Sequence, residues 1–541
     1  MLSFINLNRN FLTSIFFLIF LVIGFFSFPD YGISIDEDNT RINGFVSLKY
    51  IFEFFSPEFA LEVDKIIKVP DINDFKEQGI GVIFDLPMAF IELVFKIEDS
   101  RDYFLLRHFF NFIIFYTSVY FFYLIAKKRF DSWIYGILAS TLLITSPRIF
   151  AESFYNNKDL IFLSLFIISL YAAFNFLDNP SIKKCIYFTL ASALAIDIRL
   201  TGIFLPVLIY IIYLIKIAEN KNLKKDSLKI SFVFILSNIF FVIIFWPYLW
   251  DDPINKFIII MHKLSNIDVE IYNFYLGNYI NSKSLPWHYP LLWQIITIPI
   301  LHIILFIVGF LKILSFFIYR FFKDNDDGKL NLWKKREELY DLIFLFTYLI
   351  PLLVVFIFNS TLYDGWRHLY FIFPSFIMIG LSGLNYISNS FLYKIKNFFV
   401  ILVFFILLPT VFWMFKNHPY QYTYFNIIFE KRFNKQFEID YWGLSNHDSL
   451  RYIAENNGKI ANVAKVSKTD LVLSKKFLNK NIRNKINIVN INDEPDYIIN
   501  NYRDWSGKTS DYKTLIPNDY NIFYEILVDG LPINTVYKKN E

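Results

Sequence analysis

Just after the first long apolar run the chain reads DYGISIDEDNTRINGFVSLKYIFEFF, with Asp36, Glu37 and Asp38 side by side about eight residues past that run. Three adjacent carboxylates repel one another. At least one is expected either to hold its proton to higher pH or to find a cation, and a carboxyl raised in this way is a useful general base. An ordinary solvated turn is the plainer reading of the same triplet.

Cations stand at the corresponding ends of later apolar runs. Arg148 lies in SPRIFAESFYNNKD, which also supplies Glu152, Lys158 and Asp159. Arg107 and His108 open the second run, Arg199 follows the fifth, and YDGWRHLY brings Tyr363, Arg367 and His368 to the start of the tenth. Charges at helix mouths are costly beside hydrocarbon unless they line a wet cavity or bind a partner. One carboxylate cluster facing several cations suits a lipid-phosphate substrate: the cations hold the phosphate as leaving group while a carboxylate takes a proton from the acceptor. For each cation alone, snorkelling to the interface is an equal explanation.

The elements that must carry these residues are membrane helices. The chain of 541 residues is 55% hydrophobic, 21% aromatic and 19% charged, too apolar for an ordinary soluble domain. A net charge of +4 with no long basic tract gives no footing for nucleic acid. The single cysteine, Cys185, excludes a disulfide framework within one chain. Apolar runs recur at 11–28, 109–126, 132–147, 160–177, 185–196, 200–215, 230–250, 289–311, 342–362, 369–393 and 397–415, predicting about eleven spans. The first is read as an uncleaved anchor, because no Ala-x-Ala-like site follows it.

Alternate connections carry eighteen Lys and Arg, at 127–129, 183–184, 216–229, 320–336 and 394–396, whereas the first connection on the other side, 29–106, holds sixteen acidic against seven basic residues. The positive-inside rule then makes the N-terminus cytoplasmic and puts residues 416–541 outside, in a small α/β domain. Two domains are expected: a membrane part, 1–415, with its first outer loop at 29–106, and the extracytoplasmic part 416–541. Residues 45–55 and 79–95 fit amphipathic helices lying on the membrane surface. In the C-terminal part, 437–442 reads as a strand, Ser445 or Asn446 as the cap of a helix, and Asp529-Gly530 as a hairpin turn.

These residues resemble the C-type glycosyltransferase superfamily, in its branch of protein O-mannosyltransferases and aminoarabinose transferases. The carriers are the Asp36-Glu37 pair in the first outer loop, the surface helices of that loop, Arg107, and the NNKDL segment at 156–160. The resemblance implies a polyprenyl-phosphate sugar donor, transfer with inversion on the outer face of a bacterial plasma membrane, Asp36 as base with Glu37 beside it, and Asp159 assisting. It leaves the acceptor open among protein, lipid and cell-surface glycan. Donor phosphate is expected on Arg107, Arg148, Lys158, Arg199, Arg367 and His368, with Asp38, Glu152 and Tyr363 in support. The triplet departs from a bare pair, so Asp38 can share or take the base role. No His or Cys set has ligand spacing, no cofactor is certain, and a divalent cation on the acids is an open possibility.

A transporter or flippase would also have charged span mouths, but internal repeats and Gly- or Pro-broken helices would be expected of it, and the chain has only 17 Gly. A polysaccharide polymerase or ligase would concentrate its essential residues in a large later loop, whereas the acidic focus here is in the first.

Overall fold

The computed structural model describes residues 8–540 apart from 78, 220–223, 266–269, 324–331, 391–395, 430–435, 505 and 508–514. Lys221, Lys329 and Lys394 of the basic set lie outside the described residues.

The chain is a mostly helical, multi-span membrane protein with a small C-terminal sheet domain. Its first helix, α1 (Arg9–Ser27), is followed by a long first loop with α2 (Glu37–Phe55), α3 (Pro57–Ile66) and α4 (Asp85–Phe95). Then come α5 (Ser100–Phe130), α6 (Trp133–Ile144), α7 (Pro147–Tyr155), α8 (Asp159–Asp178), α9 (Ile182–Ile198), α10 (Phe204–Glu219) and α11 (Lys224–Phe245). After α12 (Pro253–Ser265) and the hairpin β1 (Tyr272–Tyr275) and β2 (Asn278–Asn281) follow α13 (Tyr289–Thr297), α14 (Ile300–Lys323), α15 (Arg336–Phe358), α16 (Phe373–Ser390) and α17 (Lys396–Lys416).

Helix covers most of each expected apolar run, residues 391–393 of the tenth lying outside the described residues. Among the described residues eight helices are long and apolar enough to span a membrane, or nine if α6 and α7 count as one. Those two are bent by 73° where Ser146 leaves the helical region ahead of Pro147. The run 289–311 is divided at Pro299 into α13 and α14, α9 has 17 residues, and α17 holds a shorter apolar stretch, Ile401–Lys416. The bundle core is aromatic: Phe112 of α5 stacks on Phe154 of α7 at 5.2 Å, and Tyr31 also stacks on Phe154 at 4.7 Å. Burying such rings gives each close pair about 0.5–1.5 kcal/mol beyond its area. That stack fixes where the chain leaves α1.

The helices of this first loop leave large apolar side chains exposed, among them Phe54, Phe55, Leu61, Val94 and Phe95, as expected of helices meeting a membrane surface. Their inner sides are tied by charge. Arg107 of α5 pairs with Asp85 at 2.7 Å and Glu92 at 2.9 Å, and Glu92 also holds Arg41 at 2.8 Å.

In the C-terminal part, α18 (Ser445–Asn456) precedes β3 (Ala461–Lys465), α19 (Leu471–Lys476), α20 (Lys480–Arg483), β4 (Ile486–Ile488), β5 (Tyr497–Asn500), β6 (Tyr520–Val528) and β7 (Leu531–Lys539). The sheet order is β4-β3-β5-β7-β6. β6 and β7 form the expected hairpin, with Asp529 at φ 50° and Gly530 at φ 81°. Two expectations fail. The segment 437–442 makes a single bridge from Phe437 to Tyr275 and no strand. The helix is capped from further back, by Asp440, whose carboxylate accepts from the backbone N–H of Gly443, Leu444 and Ser445.

Candidate functional site

The acidic triplet opens α2, where negative charge is favoured by the helix dipole. Its three carboxylates point to different partners. Glu37 is buried, accepts from the backbone N–H of Ser34 at 2.7 Å and lies 2.9 Å from Nε2 of His108. Asp38 pairs with Lys476 of the C-terminal domain at 2.7 Å. Asp36 faces Arg367 at 3.5 Å and Lys158 at 4.0 Å, and its side chain remains 28% exposed. Of the two ways to relieve the repulsion within the triplet, finding cations is the one realised. Burial pushes the Asp36 carboxyl up, but Lys158 and then Arg367 outweigh it and hold the group below the ordinary aspartate range.

The segment that opens α8 is organised residue by residue. The side-chain oxygen of Asn156 caps the helix by accepting from the backbone N–H of Asp159 at 2.8 Å and of Lys158 at 3.3 Å. Its amide donates to Glu152 at 2.7 Å and to Asp159 at 3.2 Å. Asn157 donates to Thr40 of α2 at 2.6 Å and to Asp85 at 3.2 Å, which fastens the mouth of α8 to the acidic loop. Asp159 is thereby buried with one oxygen on Arg199 and the other 3.0 Å from Arg367.

Arg367, Arg199, Lys158, Asp159 and Asp36 thus share one cluster, and Glu77 joins it 3.7 Å from Lys158. Tyr363 and Trp442 present ring faces to the Arg367 guanidinium at 4.8 and 4.7 Å, and the His368 ring lies edge-on to Tyr363 at 4.6 Å. The neighbouring carboxylates keep the Lys158 ammonium charged: desolvation by burial lowers its pKa, but Asp36 and then Glu77 outweigh that and hold it above the ordinary lysine value.

Other expected residues have other partners. Arg107 is committed to Asp85 and Glu92. Arg148 donates to the carbonyl of Tyr424 and lies 5.3 and 5.2 Å from the ring centres of Trp293 and Phe425. Glu152 accepts from Tyr370 at 2.8 Å and Tyr441 at 3.0 Å. Among the described residues no group of three or more His, Cys, Asp or Glu is placed to hold a metal ion.

The structure adds residues that the sequence reading passed over. Asp364 lies 3.1 Å from Arg367 and also pairs with Arg503, which in turn pairs with Glu438. The i, i+3 spacing of Asp364 and Arg367 was a usable signal. Nothing in the sequence pointed to Arg503, Glu438 or Trp442.

Residues 86–250 match the dolichyl-phosphate-mannose-protein mannosyltransferase family. The family resemblance carried by the sequence is borne out over that segment, which contains Arg107, Arg148, Lys158, Asp159 and Arg199 and stops short of Asp36 and Arg367. That family is one of glycosyltransferases. Among solved structures the chain is similar to ArnT from Cupriavidus metallidurans bound to undecaprenyl phosphate, at 12% identity and TM-score 0.45 over 97% of each chain. It is likewise similar to the apo state of that protein, at 12% identity and TM-score 0.47 over 98% of each chain. No curated protein sequence matches the chain.

Proposed function

We propose that this protein moves a sugar from a polyprenyl-phosphate donor to an acceptor on the non-cytoplasmic face of a bacterial plasma membrane. Its N-terminus lies in the cytoplasm, and the domain at 416–541 lies outside beside the first loop, 29–106. The observation that carries the reading is Asp36, a partly exposed carboxylate within 4.0 Å of both Arg367 and Lys158. A base and a phosphate cradle are thus side by side.

The roles follow from exposure. Asp36 can meet an acceptor, whereas Asp159, with its side chain only 1% exposed, is the counter-ion that aims Arg199 and Arg367. Glu37, held by Ser34 and His108, orients the start of α2. The acceptor hydroxyl attacks the anomeric carbon as the bond to the phosphate oxygen breaks, with inversion. Its proton passes to Asp36, and the bonding pair leaves with the phosphate, whose added charge Lys158, Arg199 and Arg367 receive. His368 and Tyr363 border the same place. Arg107 and Arg148 serve the fold of the outer loop and the bundle. Phosphate entering the cradle draws Lys158 and Arg367 away from Asp36, which raises its proton affinity at the moment a base is needed.

The test compares surface glycans, glycolipids and glycoproteins by mass spectrometry in a deletion strain complemented with wild type or with Asp36→Asn. A sugar absent from the deletion strain, restored by wild type and not by the variant, supports the reading. An unchanged profile across all strains overturns it.

A further inference from the structure

Arg367 carries two guanidinium nitrogens with separate tasks. Nη1 faces Asp159 at 3.0 Å and Asp36 at 3.5 Å, while Nη2 faces Asp364 at 3.1 Å. The second oxygen of Asp364 is taken by Arg503, which the chain delivers from the end of β5 in the C-terminal domain. The side chains of Asp364 and Arg503 are 9% and 5% exposed, so neither charge is screened by bulk water. Both are held in place by other bonds. Asp364 sits at φ 57° ahead of Gly365 at φ 74°, a left-handed turn that an Asp seldom adopts. It is pinned there because the backbone N–H of Asp364 donates to Asn273 at 3.0 Å and that of Gly365 to the Tyr289 hydroxyl at 3.1 Å. The carbonyl of Arg503 accepts from the backbone N–H of Lys468, and its guanidinium also meets Glu438.

We propose that Arg503 is a positioning residue for the phosphate cradle: by sharing Asp364 it sets where Arg367 stands between the two catalytic-site carboxylates. Without Arg503, the whole charge of Asp364 falls on Arg367 and draws it off Asp159 and Asp36. The C-terminal domain thereby becomes part of the membrane site. It braces the same cluster from a second side, since Lys476 holds Asp38 and the Phe477 ring lies 5.3 Å from the ring of His108, the partner of Glu37. The inference rests on the reading of Arg367 as a phosphate ligand.

The test measures binding of farnesyl phosphate to the full-length protein in detergent micelles for wild type, Arg367→Ala, Arg503→Met, Arg503→Lys, Asp364→Asn and the Asp364→Asn/Arg503→Met double variant. Arg503→Met is expected to weaken binding by roughly three- to thirtyfold, the range for residues that act through another. Arg503→Lys is expected to recover most of the loss. In the Asp364→Asn background, where no surplus charge remains to mislead Arg367, adding Arg503→Met is expected to change binding by less than about twofold. Losses that simply add in the double variant overturn the proposal. So does unchanged binding in Arg503→Met when Arg367→Ala has lost it. Unchanged binding in Arg367→Ala itself instead removes the phosphate reading. If Arg503→Met does not fold, the double variant, which removes both members of the pair, is compared with Asp364→Asn alone, and any further loss beyond about twofold again overturns the proposal.

Discussion

Arg367 donates through Nη1 to Oδ2 of Asp159 at 3.0 Å, joining residues 208 positions apart. Each opens a membrane-spanning helix, so the contact brings the mouths of two spans together at the same end of the bundle. Arg199, just past the end of α9, takes the other oxygen of Asp159. The opposite end is organised by different pairs, Arg129 with Asp341 at 2.7 Å and Lys128 with Asp178 at 2.6 Å.

Replacing Asp159 with Asn leaves Arg367 and Arg199 without their shared buried anion. Breaking a buried pair by removing one partner costs about 3–5 kcal/mol, so the variant should melt well below wild type. Thermal unfolding of the detergent-solubilised protein followed by tryptophan fluorescence checks this. An unshifted transition would mean that Asp159 is not the structural counter-ion.

Asp36→Asn should behave in the opposite way. Asp36 is partly exposed and meets its cations at 3.5 and 4.0 Å, so folding and insertion should persist while sugar transfer falls by about 10²–10⁴-fold, the usual worth of a general base. Turnover by membranes carrying equal amounts of each protein decides the matter, and near-wild-type transfer would remove Asp36 from the chemistry.

Arg367→Ala should raise the donor KM by more than tenfold and leave the acceptor KM within about threefold, because hydrogen bonds between charged groups are the strong ones. Initial rates with each substrate varied in turn separate the two. Equal increases would assign Arg367 to the scaffold.

The pH dependence has a definite sign. Lys158 and Arg367 hold the Asp36 carboxyl below the ordinary value even against burial, so in the free enzyme it is ionised down through pH 4. Its charge then favours the folded state above the unfolded value near pH 4, an advantage lost as pH falls through the lower folded value. The acidic limb of kcat/KM should therefore lie below that of kcat, because bound donor phosphate competes for the same two cations. Lys158, Arg367, Arg199 and Asp159 are the charged groups acting on Asp36, and Arg367→Ala should move the kcat/KM limb upward. Rate profiles that run from well below pH 4 up to about pH 8 report both limbs.

Gly81 tests how the first loop is seated. A Cβ there would stand 1.9 Å from the carbonyl oxygen of Asp197, two residues before Arg199, and Ile83 donates its backbone N–H to the Asp197 side chain at 2.7 Å. Gly81→Ala must push the loop off the end of α9, at a cost of about 1–3 kcal/mol for an overpacked site. A lowered melting temperature together with reduced transfer is expected, and a variant that melts and turns over like wild type would show that the loop yields freely.

The amino-acid sequence by itself determined the membrane class, the largely helical nature of the apolar runs over their described residues, the hairpin at Asp529-Gly530, and the candidacy of Asp36, Asp159, Lys158, Arg199 and Arg367. These are legible because hydropathy over about 20 residues, turn chemistry and charges at span mouths are local signals. The tertiary structure alone decided the rest. It divided the triplet among three partners, gave Arg107 to Asp85 and Glu92, moved the cap of α18 from Ser445 to Asp440, and brought Arg503 to Asp364 across 139 positions. Which cation faces which carboxylate depends on how helices pack and how the chain returns from its C-terminal sheet. The attraction in such a pair strengthens when both charges leave water together, against the cost of desolvating each, and no stretch of sequence taken alone contains that information.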